Sequence, residues 1–144
     1  MPRHWLFKTE PGAYSFAQLE RDGRTVWDGV RNALARKHLG EVARGDLVLI
    51  YHTGDEKAVI GIAKALGPAY PDPKLGDPKA PVVDLAPVRR LGRPLTLAEL
   101  KSRPALASFP LVRLPRLSVM PVTEAEWDEI ARLAKAGKRG SGQR

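Results

Sequence analysis

Cysteine is absent from the 144-residue sequence, which excludes disulfide bonds, thiolate metal ligands and a cysteine nucleophile. Histidine is scarce as well, with only three copies, His4, His38 and His52. No two of them have the spacing of metal ligands on a helix. We therefore expect no zinc site or other metal site.

Long hydrophobic runs are missing too, and no apolar segment reaches the length of a membrane-spanning helix. Lys8, Glu10 and Pro11 interrupt the N-terminal apolar segment, so it lacks the pattern of a secretory signal. These absences predict a cytoplasmic protein that has no membrane partner.

Motifs for catalysis and cofactor binding are the third absence. The sequence contains no nucleophile elbow, no P-loop and no dinucleotide-binding fingerprint. Glu10 has the chemistry of a general base, but glutamate is more often a capping or surface residue. We expect a protein that is not an enzyme and that needs no cofactor.

Positive charge, by contrast, is in excess, because the sequence has 24 Lys and Arg but only 16 Asp and Glu, which gives a net charge of +8. This sign favours an anionic partner, of which nucleic acid is the commonest. Part of the excess lies in residues 137–144, a Gly/Ser-rich segment that has the composition of a disordered basic tail. Residues 1–136 then form one domain of ordinary size, which we expect to be monomeric.

Apolar patterning predicts several strands. The segment from His4 to Thr9 is rich in aromatic residues and ends before Pro11. Residues 46–52 are apolar on both faces, which is typical of a strand buried on both sides in a barrel. Residues 58–65 follow as its antiparallel partner, and Gly61 within them indicates a bulge, a bend or a close approach. Shorter strands are predicted at 82–91, 111–113 and 117–120, and an exposed loop at 70–79.

Capping boxes predict three helices, which begin at Ser15, Thr96 and Thr123. A fourth helix follows Trp27 and ends before Gly45, with its apolar residues Leu34, Ala35, Leu39 and Val42 at core spacing. Together the elements predict an α/β fold, a strongly curved and mostly antiparallel β-barrel with short helices at its periphery. Its predicted core includes Leu47, Leu49, Val59, Ile62 and Trp127.

The stretch Trp27–Arg36 combines an aromatic plane, a flexible Asp-Gly pair and the start of a helix. Trp27 has the shape to stack on a flat ligand, and Arg31 and Asn32 have the groups to bond its edges. The alternative is a core tryptophan before an ordinary helix that Asn32 caps.

Other residues of the same kinds lie at strand ends and helix starts, where ligand sites usually form. The candidate base-binding residues of this type are Lys8, Thr9, Tyr14, Trp27, Arg31, Asn32, Tyr51 and His52. The candidates for contacts with the nucleic-acid backbone are Arg36, Lys37 and Arg113.

Taken in order, several motifs resemble the EVE domain family, a branch of the PUA-like folds. They are WLFKTEP at 5–11, WDGVRN at 27–32, GDLVLIYH at 45–52, GIA at 61–63, AYPDP at 69–73, PLVR at 110–113 and LSVMPV at 117–122. The resemblance covers about residues 3–135. It implies a bent barrel of five or six strands and a pocket that holds a modified base, with methylated or oxidised cytosine in DNA as the usual proposal.

The fold is also similar to that of the YTH readers of N6-methyladenine, in which a Lys-Ser pair and a tryptophan line the pocket. Lys8, Thr9 and Trp27 occupy the corresponding places, and the remaining walls are expected from Tyr51, His52 and the backbone of Leu117, Ser118 and Val119. Two other functions stay open. One is an RNA-binding or RNA-modification-associated module, and the other is a sensor of a free modified nucleotide.

Overall fold

The apolar strands predicted from the sequence join into one strongly curved sheet, which a computed structural model describes over residues 3–142. Its strands are β1 (His4–Thr9), β2 (Thr25–Trp27), β3 (Leu47–His52), β4 (Ala58–Ala65), β5 (Tyr70–Asp72), β6 (Asp77–Thr96) and β7 (Val119–Val122). The helices are α1 (Phe16–Asp22), α2 (Ala33–Leu39), α3 (Leu97–Lys101), α4 (Pro110–Arg113) and α5 (Glu124–Gly142), with a 3-10 turn at Pro104–Leu106.

The strand order is β2-β6-β4-β3-β1-β7, and β5 pairs with β6 beside this path. Only β1 and β3 are parallel; every other pair of described strands is antiparallel. Since β2 and β7 end the order without pairing with each other in the described chain, the sheet is a curled half-barrel with an open seam between them. The predicted fold class is confirmed, with seven strands where five or six were expected.

Bulges supply the curvature. The pairing of β3 with β4 shifts after Ile50, and that of β4 with β6 shifts before Gly61. Gly61 also has no room for a side chain, because a Cβ there would lie 2.5 Å from Cζ of Phe16. The bulge and the close approach predicted at this glycine are both present, and they let α1 pack directly on the sheet.

Two of the three predicted capping boxes form in full, and at the third the Glu99 carboxylate pairs with Arg93 instead. Ser15 and Gln18 exchange hydrogen bonds at the start of α1, and Thr123 and Glu126 do so at the start of α5. The hydroxyl of Thr96 accepts from the backbone N–H of Glu99 at the start of α3. These local side-chain bonds satisfy N–H groups that a helix leaves unpaired, which is why the motif locates helix starts well.

Three predicted elements are wrong. Residues 70–79 are not a loop but supply β5 and the start of β6, which pair with each other. Residues 111–113 lie in α4, which Pro110 begins, since proline suits the first helical turn. The helix after Trp27 ends at Leu39 rather than before Gly45.

The core is largely as predicted: Leu49, Val59 and Ile62 are buried, whereas Leu47 and Trp127 are only partly buried against it. Helix α5 continues to Gly142, past the point at which the sequence predicts a tail from 137. Disorder of 137–144 stays a prediction, and its last two positions lie outside the described residues. No helix within residues 3–142 is long and apolar enough to cross a membrane.

Candidate functional site

A recess of about 750 Å³ opens at the seam, between the end of β2 and the segment before β7. Its walls come from the carboxyl end of β1, the turn before α1, the loop after β2 and the residue that precedes β7. It brings together six of the predicted site residues, namely Lys8, Thr9, Tyr14, Trp27, Arg31 and Ser118. The recess exists because the half-barrel does not close here.

Trp27 is the last residue of β2, where it pairs with Val83 of β6. Its ring packs against Phe7 with centroids 5.6 Å apart and meets Tyr14 edge-on at 6.4 Å. The side chain is 8% exposed, and Trp27 both belongs to the core and lines the recess. The sequence left a core position and a position in a pocket wall as alternatives. At the open seam the ring packs in the core and also lines the recess. Its role in base binding stays a prediction.

The ammonium of Lys8 is half-buried in the same wall. It donates to the carbonyl oxygen of Pro115 at 2.6 Å and lies 5.7 Å from the ring centre of Tyr51. Burial lowers the pKa of the Lys8 ammonium. Since an ammonium has three donors and one acceptor is found among the described residues, two N–H bonds remain for a ligand.

Thr9 and Tyr14 connect the end of β1 to the turn before α1. The Thr9 hydroxyl donates to the carbonyl oxygen of Tyr14 at 2.7 Å, which leaves its oxygen free to accept. The Tyr14 hydroxyl donates to Asp22 at 2.8 Å. Burial raises the pKa of this hydroxyl, with Asp22 adding to the rise, so it keeps its proton near neutral pH. These bonds hold the floor of the recess in place.

Basic residues outnumber acidic ones at the recess, with Lys8, Arg31 and Lys74 against Glu10 and Asp28. Arg31 is exposed and forms no ion pair with the residues described, whereas Lys74 lies 3.9 Å from Asp28 across the opening. Arg36 donates from Nε to the carbonyl oxygen of Val30 at 2.7 Å, which braces the loop after β2. Arg31, Arg36 and Lys37 also line a neighbouring hollow of about 600 Å³.

Two candidate residues, Asn32 and Tyr51, have side chains that are held away from the recess by a hydrogen bond or by burial. Asn32 caps α2, because its side-chain oxygen accepts from the N–H of Ala35 at 3.0 Å. The Tyr51 ring is 3% exposed behind Lys8, and burial raises the pKa of its hydroxyl. The structure therefore does not place these two side chains in the recess.

His52 is buried, and both of its ring nitrogens are engaged. Nε2 accepts from the N–H of Phe16 at 3.0 Å, so the proton of the neutral ring is on Nδ1 and is donated to Glu56 at 2.8 Å. This side chain anchors the start of α1. Leu117 and Val119 are buried as well, while Arg113 lies beside Asn32 in a separate hollow, outside the recess.

With this geometry in view, comparison with known proteins identifies the family. Residues 3–133 match the sequence profile of the EVE domain. The chain belongs to the EVE domain family. The resemblance predicted from the seven motifs is thereby confirmed.

Three relatives illustrate the match. Human thymocyte nuclear protein 1 is 32% identical over 164 residues, which cover 90% of this chain and 73% of the human protein. An NMR structure of a Rhodopseudomonas palustris protein has a TM-score of 0.88 at 38% identity, covering 93% of this chain and 94% of that one. A crystal structure of human THYN1 protein in complex with 5-methylcytosine-containing DNA has a TM-score of 0.84 at 32% identity, covering 92% of this chain and 97% of that one.

Three charged residues of this EVE domain, Glu10, Asp28 and Lys74, line the recess although the sequence pattern did not single them out for it. Glu10 reaches the recess with a carboxylate that accepts from the Thr53 hydroxyl at 3.2 Å. Lys74 reaches it from the turn between β5 and β6. The sequence offered Glu10 as a titratable group at a strand end, but Lys74 gave no signal because its segment was predicted to be a loop.

A second hollow, of about 440 Å³, lies under α5, and we call it the α5 hollow. Its walls combine apolar residues such as Leu49, Ile62 and Ile130 with the basic residues Arg89, Arg90 and Lys135. Trp127 is partly buried and stacks on His4 with ring centres 4.2 Å apart. The sequence placed this tryptophan in the core, whereas it forms one side of this hollow.

Proposed function

We propose that this EVE domain is a non-catalytic reader that binds nucleic acid, DNA in preference to RNA, and holds a modified base in the recess. A modified cytosine is the expected base. The observation that carries the proposal is the recess itself, which joins the Trp27 ring to the free donors of Lys8 at an opening rimmed by Arg31. The similar human THYN1 protein, solved with DNA that contains 5-methylcytosine, supports the choice of base.

The recess has the size and the groups for one pyrimidine. Its volume falls within the range of about 300–1,000 Å³ that is usual for small-ligand pockets. Cytosine presents acceptors at O2 and N3 and a donor at N4; Lys8 donates to the former, and Glu10 accepts from the latter. Val26 and Val30 supply apolar surface in the same recess for a 5-methyl group.

The expected energies favour binding with modest discrimination. Extruding a base costs a few kcal/mol, while stacking on an aromatic ring returns about 1–3 kcal/mol. Burying one methyl group adds about 0.8 kcal/mol, which corresponds to roughly a fourfold preference. We therefore expect the domain to prefer 5-methylcytosine over cytosine by several-fold.

The basic residues at the rim supply the sequence-independent part of the affinity. Arg31, Arg36 and Lys37 lie in a continuous strip beside the recess, where phosphates on either side of an extruded base would pass. Each phosphate neutralised on duplex DNA releases counterions and changes the log–log salt slope by about −0.9. Arg113 lines a second neighbouring hollow, together with Asn32 and the segment before β7.

The polar groups around the recess favour binding over catalysis. The hydroxyl of Thr9 donates to a backbone carbonyl, and the nearby His52 has both nitrogens bonded within the protein, so neither forms a nucleophile–base pair. Within the described residues, no three His, Asp or Glu side chains cluster closely enough to hold a metal ion. Two carboxylates line the recess: Asp28 lies 3.9 Å from the ammonium of Lys74, and a donor at N4 of cytosine would occupy that of Glu10.

Fluorescence anisotropy with matched oligonucleotides tests the proposal. Labelled DNA and RNA, each with one 5-methylcytosine or one cytosine at the same position, are titrated with protein between low and physiological salt. We expect the methylated DNA to bind most tightly and every affinity to fall with salt. Equal binding of methylated and unmethylated DNA, or no binding at the lowest salt, contradicts the proposal.

Two further readouts separate the other functions. Mass spectrometry of the oligonucleotides after incubation detects any base conversion, which would show an enzyme. A thermal-shift measurement with the free 5-methylcytosine nucleoside detects a sensor, which the nucleoside would stabilise as strongly as the oligonucleotide does.

A further inference from the structure

Two leucines that the fold leaves exposed lie beside the recess. Leu34, in the first turn of α2, is 42% exposed, and Leu114, directly after α4, is 47% exposed. The spacing in α2 predicts a core position for Leu34, so its exposure is a departure from the helix pattern. With Pro115 the two leucines line a surface hollow of about 410 Å³, which we call the leucine hollow.

The leucine hollow adjoins the recess because two chain segments contribute to both. Arg31 lines the recess and the next residue, Asn32, lines the leucine hollow. In the other segment, Leu117 lines the hollow and Ser118 lines the recess. The recess and the leucine hollow are therefore neighbours on one surface.

Lys8 holds the loop that carries Leu114. Its ammonium donates to the carbonyl oxygen of Pro115 at 2.6 Å, and its backbone N–H donates to that of Ser118 at 2.9 Å. The loop is thus fixed at both ends of the segment 115–118 by a residue of the recess wall. Leu114 is presented on a braced loop, at a constant place relative to the recess.

The charge around the leucines is of one sign. Arg113 and Arg116 line the leucine hollow, both are exposed, and neither forms an ion pair with the described part of the chain. Among residues 3–142, no carboxylate lines it. An apolar centre between two guanidinium groups matches a nucleic-acid duplex, in which an apolar base stack lies between two lines of phosphates.

We propose that Leu114, supported by Leu34, enters the base stack at the position that the extruded base leaves, while Arg113 and Arg116 contact the flanking phosphates. This inference rests on the proposed function. Extrusion opens a gap in the stack, and apolar side chains that insert between base steps are a general means of holding a duplex open. Leu114 thereby acts on the duplex, whereas the recess acts on the base.

Comparing the affinities for duplex and for single-stranded DNA tests whether Leu114 acts on the duplex alone. Wild type and Leu114→Ala are titrated with the same 5-methylcytosine oligonucleotide in both forms. In a single strand no gap has to be filled, so we expect the variant to change that affinity by less than about twofold. On the duplex we expect a loss of about tenfold, equivalent to about 1.4 kcal/mol.

Two control variants sharpen the result. Leu114→Met keeps a long apolar side chain and should retain most of the duplex affinity. Val88→Ala truncates an apolar side chain of similar exposure, 48%, on β6 and should change neither affinity. Leu34→Ala should give a smaller loss than Leu114→Ala, in the same direction and again on the duplex only.

Other outcomes overturn the inference. Equal losses on duplex and single strand would make Leu114 an ordinary contact, and unchanged duplex affinity would leave it without a role. Failure of wild type to bind the duplex would also reject the inference, while a preference for the methylated single strand would leave the proposed function standing. If wild type prefers the methylated base neither in the duplex nor in the single strand, both the inference and the proposed function are rejected.

Discussion

Trp27 and Trp127 lie beside two different hollows of the same half-barrel, and the comparison shows what kind of ligand each hollow suits. The recess at Trp27 has hydrogen-bonding groups on several sides, including Lys8 and Glu10. In the α5 hollow, Trp127 instead stacks on His4, and the walls are aliphatic residues such as Leu49 together with Arg89, Arg90 and Lys135.

The difference follows from position in the sheet. Trp27 ends an edge strand at the open seam, where strand ends leave polar groups unpaired and the chain turns sharply at Gly29, with φ of +75°. Trp127 lies in the first part of a helix that covers the inner strands, so its neighbours are core residues. Both hollows contain basic side chains, but among the described residues only the recess adds a carboxylate, Glu10, to the donors beside its tryptophan, and a base edge needs both donors and acceptors.

The largest effect is expected from truncating the two tryptophans in parallel. Trp27→Ala should lose most of the binding of the methylated oligonucleotide, since stacking contributes about 1–3 kcal/mol. It should also lower the free energy of unfolding by about 3–5 kcal/mol, because the ring is part of the core. Trp127→Ala should lower stability by less and leave binding intact.

Circular dichroism melts and anisotropy titrations, run at a temperature at which both variants are folded, check this pair. Trp27→Phe replaces Trp27→Ala if the latter is unfolded under all conditions, because it keeps a ring against Phe7. A folded Trp27 variant that still prefers the methylated base, or a Trp127 variant that loses the preference, breaks the comparison.

A smaller effect is expected from Lys8→Met, which removes the free donors of the recess and keeps much of the aliphatic volume. A hydrogen bond from a charged group contributes about 1.5–3 kcal/mol, so the affinity for the methylated oligonucleotide should fall at least about tenfold. Wild-type affinity should decline on the alkaline side at a lower pH than for an exposed lysine, because burial lowers the pKa of this ammonium. The variant should lack that decline.

The free energy of unfolding should rise with pH, whereas the affinity for DNA should fall. Between the lowered pKa of folded Lys8 and the ordinary lysine pKa of the unfolded chain, the unfolded state binds more protons, so the free energy of unfolding rises with pH. Urea titrations of wild type and Lys8→Met across this window measure the rise. An identical pH dependence in both proteins would show that Lys8 is not buried as described.

The smallest effect is expected from the rim. Arg31→Ala should weaken methylated and unmethylated DNA alike and make the log–log salt slope shallower by about 0.9, as the loss of one phosphate contact does. Arg44→Ala is the matched control, an exposed arginine in the turn before β3, at the end of the sheet remote from the recess. A loss of base preference in Arg31→Ala, or equal slopes for both variants, contradicts the assignment of Arg31 to the backbone.

Sequence patterns located the parts of this fold that depend on local physics. The helix starts at Ser15, Thr96 and Thr123 and the apolar strands around β3 formed as predicted, since each depends on side chains near in sequence. The half-barrel seam did not follow from them, because it depends on which strands fail to pair. β5 was predicted to be a loop because proline and aspartate are uncommon in strands, although an edge strand tolerates them.

The candidate site was predicted in part for the same reason. Lys8, Thr9 and Trp27 lie at strand ends and reach the recess, as their positions suggested. Asn32 caps α2 through a local bond to Ala35, which was the alternative that the sequence offered. His52 instead anchors the start of α1 through a contact between distant parts of the chain, which no local pattern reveals.

The three indole N–H signals of a proton–nitrogen NMR spectrum test the central comparison most directly. Trp5 serves as an internal reference, because its indole N–H donates to Asp46 at 2.9 Å inside the core. Tryptophan-to-phenylalanine variants assign the signals, and the methylated oligonucleotide is then titrated into wild type. We predict that the Trp27 signal shifts while those of Trp5 and Trp127 stay in place. A shift of Trp127 with Trp27 unchanged would contradict the assignment of base binding to the seam recess.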